Sequence, residues 1–559
     1  MKSQFIICLV ALCQLALFQS CQKGFLDKEP SDQPSGASFF ANENDLKLAI
    51  NGAYTGLYWE SARVPYPMWL ESSTDYSFDR GDYGGMLTAQ SGQYGTETTV
   101  FYSIWSSLYT KIASCNNILT NMHLAKEVSN ENVYNQVEGQ ALFLRAFFYH
   151  YLINLYGDVP FVTKSISLEE GKSLTRAPRA EIATQLLADL KTAADKLPLQ
   201  WTGGDLGRIT KGAALALRAR IALLEGNYQV AAEAAKAVMD LNVYELYNDY
   251  HKLFQLSGEN SKEAIFSLPY LRGTATSGIP QYIGIRSTQC WSIYVPSQNL
   301  VNYYECTDGK SIDKSPLYDP TNPYEGRDPR LKASILTPGQ WMGGFQFETH
   351  PDSTKTSRIL NGKITRVANQ EVTNPFATFT GYVWKKYLDS LEVPTYNTQS
   401  ELSFMFIRYA EVLLTYAEAK IELGQIDQSV IDAINKVRTR PSVTMPAVTM
   451  TTAAELRKVV RYERTVELAM EGHRLFDIRR WKYAEHVMAG NILGRRKIAF
   501  YQHPVVPTID EYGQSHYPNE ADLFNIIGVN TFDVKKDYYW PIPQKERDLN
   551  NLLSQNPGY

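Results

Sequence analysis

The stretch from Thr210 to Leu241, TKGAALALRARIALLEGNYQVAAEAAKAVMDL, decides how this chain of 559 residues is built. Thr210 stands where a helix N-cap is wanted, because its hydroxyl can accept from a first-turn N–H that has no partner within the helix. Leu217, Ile221 and Leu224 then recur at the spacing of one buried helical face. Gly226-Asn227 turns the chain, and Tyr228 opens a second helix whose Ala231, Ala232 and Ala235 face the first. Small side chains at that seam let two antiparallel helices approach closely, so the stretch reads as a helical hairpin.

A second hairpin of the same kind follows much later. Ala410, Leu413, Leu414, Ala417 and Ile421 form a face, Gly424 turns the chain, Val430, Ile434 and Val437 face back, and Pro441 ends the unit. The pattern partly matches a tetratricopeptide repeat, without the Trp and Pro of that consensus. Further helices are expected from Asn44, from Phe101, over Glu138 to Tyr156 and over Glu181 to Leu197, and a third long helical stretch, dense in charge, over Ala453 to Arg480. The expected fold class is therefore mainly α, with tetratricopeptide-like helix pairs stacked in an α-α superhelix.

Two regions break the helical period. Tyr58 to Phe101 scatters Tyr58, Trp59, Tyr66, Trp69, Tyr76, Phe78, Tyr83 and Tyr94 among Gly, Ser, Thr and Asp. Leu268 to Thr398 does the same with Tyr282, Trp291, Tyr294, Trp341, Phe345 and Trp384, and reads as loops and short strands inserted between helical halves. Long segments without period in a folded chain commonly carry function. A sugar ring has apolar C–H faces and a hydroxyl rim, so a site for it wants flat aromatic platforms beside amides and carboxylates. Trp59, Trp69, Tyr76, Tyr83 and Tyr94, with Asp75 as a hydroxyl partner, are the candidates from the first region; Trp291, Tyr294 and Trp341 come from the second. Trp105, Trp481 and Trp540 lie in helical or framework stretches and are assigned to packing.

Composition excludes other classes. Lysine plus arginine number 55 against 59 acidic residues, so a net charge of -4 offers no basic field for nucleic acid. Lys2 followed by an apolar run from Phe5 to Phe18, broken only by Gln14, is too short to span a bilayer, which takes about 20 apolar residues, and reads as an export leader. Cys21 directly after small Ser20 resembles the acylation site of a bacterial lipoprotein, although Phe18 and Gln19 replace the residues commonest there. The expected organisation is a leader over residues 1–20, an anchor and tether over 21–43, an N-terminal helical part over 44–267, and a C-terminal part over 268–559. Within the last, 268–398 is the irregular ligand-binding insertion and 399–559 the helical framework. Cys8 and Cys13 leave with the leader and Cys21 is consumed by lipid, so Cys115, Cys290 and Cys306 remain. At most one pair can bridge, and Cys290 with Cys306 is the pair in one irregular region.

Taken together, several stretches carry a resemblance: Cys21 with Phe25-Leu26-Asp27 and Pro30; Leu144-Arg145-Ala146-Phe147 running to Gly157-Asp158-Val159-Pro160; Arg327-Asp328-Pro329-Arg330-Leu331; Arg408-Tyr409-Ala410-Glu411; Glu463-Arg464 with Glu467, Glu471-Gly472 and Arg474; Phe476-Asp477 with Arg480-Trp481; Trp540-Pro541-Ile542-Pro543; and Gln555-Asn556-Pro557-Gly558-Tyr559. In this order they resemble the SusD/RagB family of outer-membrane nutrient-binding lipoproteins over nearly the whole length. The resemblance implies a helix-pair scaffold with a loop-built ligand site, lipidation at Cys21, location at the outer membrane facing the exterior, and a SusC-like TonB-dependent transporter as partner. It also implies delivery of an oligosaccharide, or of a peptide or other nutrient, without catalysis and without a cofactor.

The residues themselves leave a hydrolase as the competing reading, since glycoside hydrolysis uses paired carboxylates and Glu463, Glu467 and Glu471 stand near Asp477. Glutamates four apart on one helix beside Arg461, Arg464, Arg474 and Arg480 are more simply an ion network. No His-Glu-x-x-His, Gly-x-Ser-x-Gly or phosphate-loop pattern occurs. Asp79-Arg80-Gly81-Asp82 is acidic but matches no calcium-ligand spacing.

Overall fold

The Thr210 hydroxyl accepts from the Ala213 N–H at 3.2 Å, and the Asn227 side chain accepts from Val230, so both helices of the first hairpin start on the residues that punctuate them. The computed structural model describes residues 39–559; the leader, Cys21, Phe25-Leu26-Asp27 and Pro30 lie outside the described residues. The main helices are α1 (Glu43–Tyr54), α2 (Thr99–Asn121), α3 (Glu131–Tyr156), α4 (Arg179–Lys196), α5 (Lys211–Leu224), α6 (Tyr228–Asp240), α7 (Tyr409–Glu422), α8 (Gln428–Arg438), α9 (Ala453–Glu467) and α10 (Arg474–Arg480).

Each helix from α2 to α6 packs on the next, and α6 then packs directly on α7, which holds α8 and α9. Helix pairs from the two ends of the chain thus form one continuous stack. Ala231, Ala232 and Ala235 are buried at the seam of α6, where a larger side chain would hold the helices apart. The join is also ionic: Arg220 of α5 reaches both carboxylate oxygens of Glu411 on α7 at 2.6 Å and donates to the Phe406 carbonyl. Both partners are almost fully buried.

The expected single helical stretch over Ala453 to Arg480 is interrupted. Helix α9 ends at Glu467, Met470 and Gly472 take φ of +68° and +81°, and α10 begins at Arg474. Lys386 fills the break, its buried ammonium donating to the Glu467 carbonyl at 3.0 Å, the Ala469 carbonyl at 2.9 Å and the Glu471 carboxylate at 2.6 Å, while Arg408 and Tyr250 also donate to the Glu467 carbonyl. These donors satisfy carbonyls that have no helical partner where the ladder ends.

The irregular regions hold short strands. Ser77–Asp79 pairs antiparallel with Tyr294–Pro296, stitching the first aromatic region to the second. Ala264–Leu268 pairs with Phe404–Arg408, and Lys363–Ala368, Lys355–Leu360, Phe345–Gln346 and Trp341–Met342 make a four-stranded meander. Cys290 and Cys306 are not joined: all three described cysteines are free and buried, and act as small apolar side chains. Burial pushes the Cys115 thiol up to about 12 and the Cys290 thiol to about 11.

At the C-terminus, Trp540 packs on Phe101 with ring centroids 4.8 Å apart and on Tyr156 at 5.9 Å. The Asn556 amide donates to the carbonyls of Tyr156 and Trp540, closing the last stretch onto α3. Trp481 donates to Glu418 at 2.8 Å. The assignment of these tryptophans to packing agrees with their burial.

Candidate functional site

The strand pair Ser77–Asp79 with Tyr294–Pro296 sets the geometry, because the segments leaving it carry Tyr83 and Trp291. Their rings lie 6.4 Å apart at an interplanar angle of 36°. Tyr282, nearly buried, backs both, 5.9 Å from Tyr83 and 5.1 Å from Trp291, edge to face in each case. Tyr83 is 51% exposed and Trp291 is half-buried, so the pair presents an aromatic face to solvent on a fixed support. Phe376, 57% exposed, borders it across the Arg80 guanidinium, which sits 5.5 Å from the ring centre.

The loop is shaped by its acids and glycines. Asp79 accepts from the N–H groups of Gly81 and Gly84 at 3.2 and 3.1 Å, and Asp82 accepts from the Thr88 N–H and hydroxyl at 3.1 and 2.6 Å. A Cβ on Gly84 would stand 2.7 Å from the Trp69 ring, so only glycine lets the loop cross that indole. Both acids of Asp79-Arg80-Gly81-Asp82 are thus occupied in folding the loop. Among the described residues no group of three or more His, Cys, Asp or Glu is gathered for a metal. Burial pushes the Asp79 carboxyl up to about 6, against the two N–H donors that favour its charge.

The other sequence candidates lie elsewhere. Trp69, Tyr76 and Tyr294 have no exposed surface, and Trp59 is 3% exposed, stacked on Tyr66 at 5.0 Å. Full burial removes them from ligand contact: they are the floor beneath the loops, and Trp69 packs between Tyr282 and Tyr294. Asp75 is no free hydroxyl partner, because Arg474 holds both its oxygens at 3.0 and 2.8 Å, with the same guanidinium 3.8 Å above the Tyr76 ring. Tyr94 donates to Asp537 and lies against Tyr559 and Phe101 in the C-terminal closure. Trp341 is 37% exposed on the four-stranded meander. Of the nine candidates, the structure brings Tyr83 and Trp291 together on one exposed face. Sequence reasoning did not select Tyr282, Phe376 or Arg80, whose only signal was their place in the same two aperiodic regions.

The glutamates that suggested hydrolysis are fully buried in an ion network. Arg330 reaches Asp328 at 2.8 Å, Glu463 at 2.7 Å and Glu467 at 3.2 Å. Arg408 reaches Glu263 and Glu467 at 2.8 Å and Glu471 at 2.7 Å, and Arg440 reaches Glu467 at 2.7 Å. Burial alone would raise the Glu467 carboxyl, but the guanidiniums of Arg440, Arg408 and Arg330 outweigh it and hold it down to about 2. A glycosidic general acid needs the opposite shift. A cleft of about 540 Å³ lies away from the aromatic face, lined by Arg179, Glu225, Tyr228, Glu418, Trp481 and Tyr539 among others. Its carboxylates are likewise bound, Glu225 to Arg179 and Glu418 to Arg480. Among the described residues no helix is long and apolar enough to cross a membrane.

A stack of helix pairs carrying a loop-built aromatic face, with buried ion ties at the quoted motifs, defines the class. The chain belongs to the SusD family, whose sequence model matches residues 262–559; a second model, described as "Starch-binding associating with outer membrane", matches residues 24–223. Among solved structures it is similar to a SusD-like carbohydrate-binding protein of Bacteroides fragilis, at 30% identity and a TM-score of 0.79, covering 92% of this chain and 100% of that one. It resembles a SusD-like protein, P2, of Formosa agariphila at 26% identity over 100% of this chain and 99% of that protein. It shares its fold with surface glycan-binding protein A of Bacteroides fluxus, at 21% identity and a TM-score of 0.66, covering 93% of this chain and 100% of that one. Members of this family are thus described as binding proteins, with carbohydrate as the ligand class and the outer membrane as the associated site.

Proposed function

We propose that this protein is a lipoprotein of the outer membrane that captures oligosaccharide on the Tyr83–Trp291 face and passes it to a SusC-like TonB-dependent transporter, without breaking bonds. The observation that carries the reading is the exposed pair of rings 6.4 Å apart on a buried Tyr282. Sugar C–H faces stack on such rings while hydroxyls find polar groups at the rim. If each ring contributes about 0.5–1.5 kcal/mol, as aromatic pairs do, capture is weak, and a transporter held alongside replaces tightness by effective concentration.

Affinity electrophoresis of the purified protein against a panel of plant, algal and host glycans tests this. Retardation on at least one glycan, with no release of reducing sugar, is expected. Tyr83→Ala with Trp291→Ala is expected to weaken that binding about tenfold, since two stacking contacts amount to roughly 1–3 kcal/mol. Unchanged retardation of the double variant, or release of reducing sugar, contradicts the reading.

Lipidation at Cys21 is the anchoring part of the proposal, supported by the leader and the cysteine that follows it. Two acyl chains or more hold a protein firmly to a bilayer, at about 0.8 kcal/mol per buried methylene. Cys21→Ala is expected to move the protein out of the membrane fraction while its glycan retardation stays unchanged. Membrane retention of that variant refutes lipid anchoring at this position.

A further inference from the structure

We infer that the Tyr83–Trp291 face is built for an anionic glycan, one whose sugars carry carboxylate or sulfate groups. The inference rests on the proposed glycan capture and adds the ligand's charge. Three arginines lie close to the rings, Arg80 near Tyr83, Arg286 near Arg80 and Arg63 near Tyr282, and among the described residues none has a carboxylate partner. Each is positioned instead by a main-chain carbonyl: Arg80 donates to Trp291 at 3.0 Å, Arg286 to Cys290 at 3.3 Å, and Arg63 to Thr398 at 2.8 Å. A carbonyl fixes where a guanidinium lies and leaves its charge unneutralised.

Arginines such as Arg220, Arg330, Arg408 and Arg474 are bound to carboxylates, and others such as Arg327 and Arg479 are held by carbonyls as these three are; what marks Arg80, Arg286 and Arg63 is their place in the segments next to the exposed rings. The acids nearest the face are committed elsewhere. Asp79 and Asp82 bind the donors of their own loop, and the buried Glu371 accepts from the Ser287 N–H and hydroxyl at 2.8 and 2.9 Å through Oε1, its Oε2 making no hydrogen bond and no ion pair with these arginines.

Arg80 is the most constrained of the three. Its guanidinium lies 5.5 Å from the ring centres of both Phe376 and Phe379, and its Nε is buried with no hydrogen-bond partner. Burial first, and then the positive charge of Arg286 nearby, both work against its protonated form. Like charges held close without a counter-ion are unfavourable in the free protein, and a bound anion relieves them. Arg63 occupies the two-residue turn between Glu60–Ser61 and Val64–Pro65, where Ala62 and Arg63 take φ of +53° and +60°. Such a turn favours Asn-Gly, yet an arginine is held there beside helix Ile279–Ile283, which carries Tyr282. A guanidinium fork matches the planar oxygens of a uronate and the oxygens of a sulfate ester, whereas a neutral sugar leaves these donors to water.

The test is calorimetric titration of the full chain with an oligogalacturonate, with the same oligosaccharide after carboxyl reduction, with a carrageenan oligosaccharide and with its desulfated form. The acidic member of at least one pair is expected to bind about tenfold more tightly than its neutral counterpart, with an advantage that shrinks as salt is raised. Which pair responds tells carboxylate from sulfate. Arg80→Gln with Arg286→Gln is expected to erase the preference while any binding of the neutral form persists, with circular dichroism confirming the fold; Arg63→Gln alone is expected to reduce it. Equal affinities within both pairs, lost in Tyr83→Ala, overturn the charge inference and leave the aromatic face standing. A preference that survives in the double arginine variant overturns the assignment to these residues. Absence of binding to all four probes overturns the inference, and absence of binding across the neutral glycan panel as well removes glycan capture itself.

Discussion

Glu467→Ala is expected to lower the folding stability by about 3–5 kcal/mol, the usual result of removing one partner from a buried ion network. Glu467 has no exposed surface and accepts from Arg408 at 2.8 Å, Arg440 at 2.7 Å and Arg330 at 3.2 Å. These guanidiniums come from three separate parts of the chain, so the deletion removes the carboxylate they share where the irregular insertion meets α9, although each keeps another carboxylate partner, Arg330 in Glu463, Arg408 in Glu471 and Arg440 in Glu263. The midpoint of denaturant unfolding reads the loss; a change under about 1 kcal/mol would show that water enters and screens the site, as it does for surface pairs. Acid should reproduce the effect gradually. The folded-state carboxyl is held down to about 2 against an ordinary 4.5, so its contribution is fully present above about 4.5 and is lost as pH falls through 2. Glu467→Gln is expected to unfold more readily for the same reason, and glycan retardation per folded molecule should not change, because the residue lies in the framework.

Glu71→Gln is expected to shift stability relative to wild type by about 2–3 kcal/mol in its favour between pH 4.5 and pH 8, on top of a pH-independent cost of about 1–3 kcal/mol, because the amide nitrogen cannot accept from one of the Met470 and Gly472 N–H groups. Glu71 is 1% exposed and has no ion pair among the described residues; its oxygens accept from the N–H groups of Met470 and Gly472 at 3.3 and 3.2 Å. Burial pushes its carboxyl up to about 7, with these two donors and the more distant Arg474 opposing. A carboxyl raised in the folded state binds its proton more tightly there than in the unfolded chain. Its contribution is therefore fully present below 4.5 and is lost as pH rises through 7. An amide cannot ionise, so the variant should lack this part of the slope. Asp79 and Glu305 are raised as well, so the wild-type-minus-variant difference across the window is the quantity to measure. Identical slopes in wild type and Glu71→Gln would assign the pH dependence to those other carboxyls.

The helical framework was legible in the sequence because amphipathic period is a local property. Leu217 and Ile221 on one helix and Ala231 and Ala235 on the next announce a hairpin within 32 residues, and the structure places each of them in the core. The break after Glu467 was not legible, since the groups that satisfy its carbonyls, Lys386, Arg408 and Tyr250, are far away in sequence. The aromatic site was legible only as a composition. Trp69, Tyr76 and Tyr294 carry the same side-chain chemistry as Tyr83 and Trp291, and no period separates floor from face.

Local spacing by itself determined the helix pairs, their caps and turns, and the candidate anchor at Cys21. Pattern and order together pointed to the family. Tertiary structure alone decided that α6 meets α7 across a long insertion, that the motif glutamates serve arginines, and that Ser77–Asp79 meets Tyr294–Pro296. It also decided that the segments flanking that buried strand pair bring two rings to solvent, with three arginines without carboxylate partners nearby. The physical reason is range: capping and helical period act over a few residues, whereas burial and ion pairing depend on which distant segments the fold brings together.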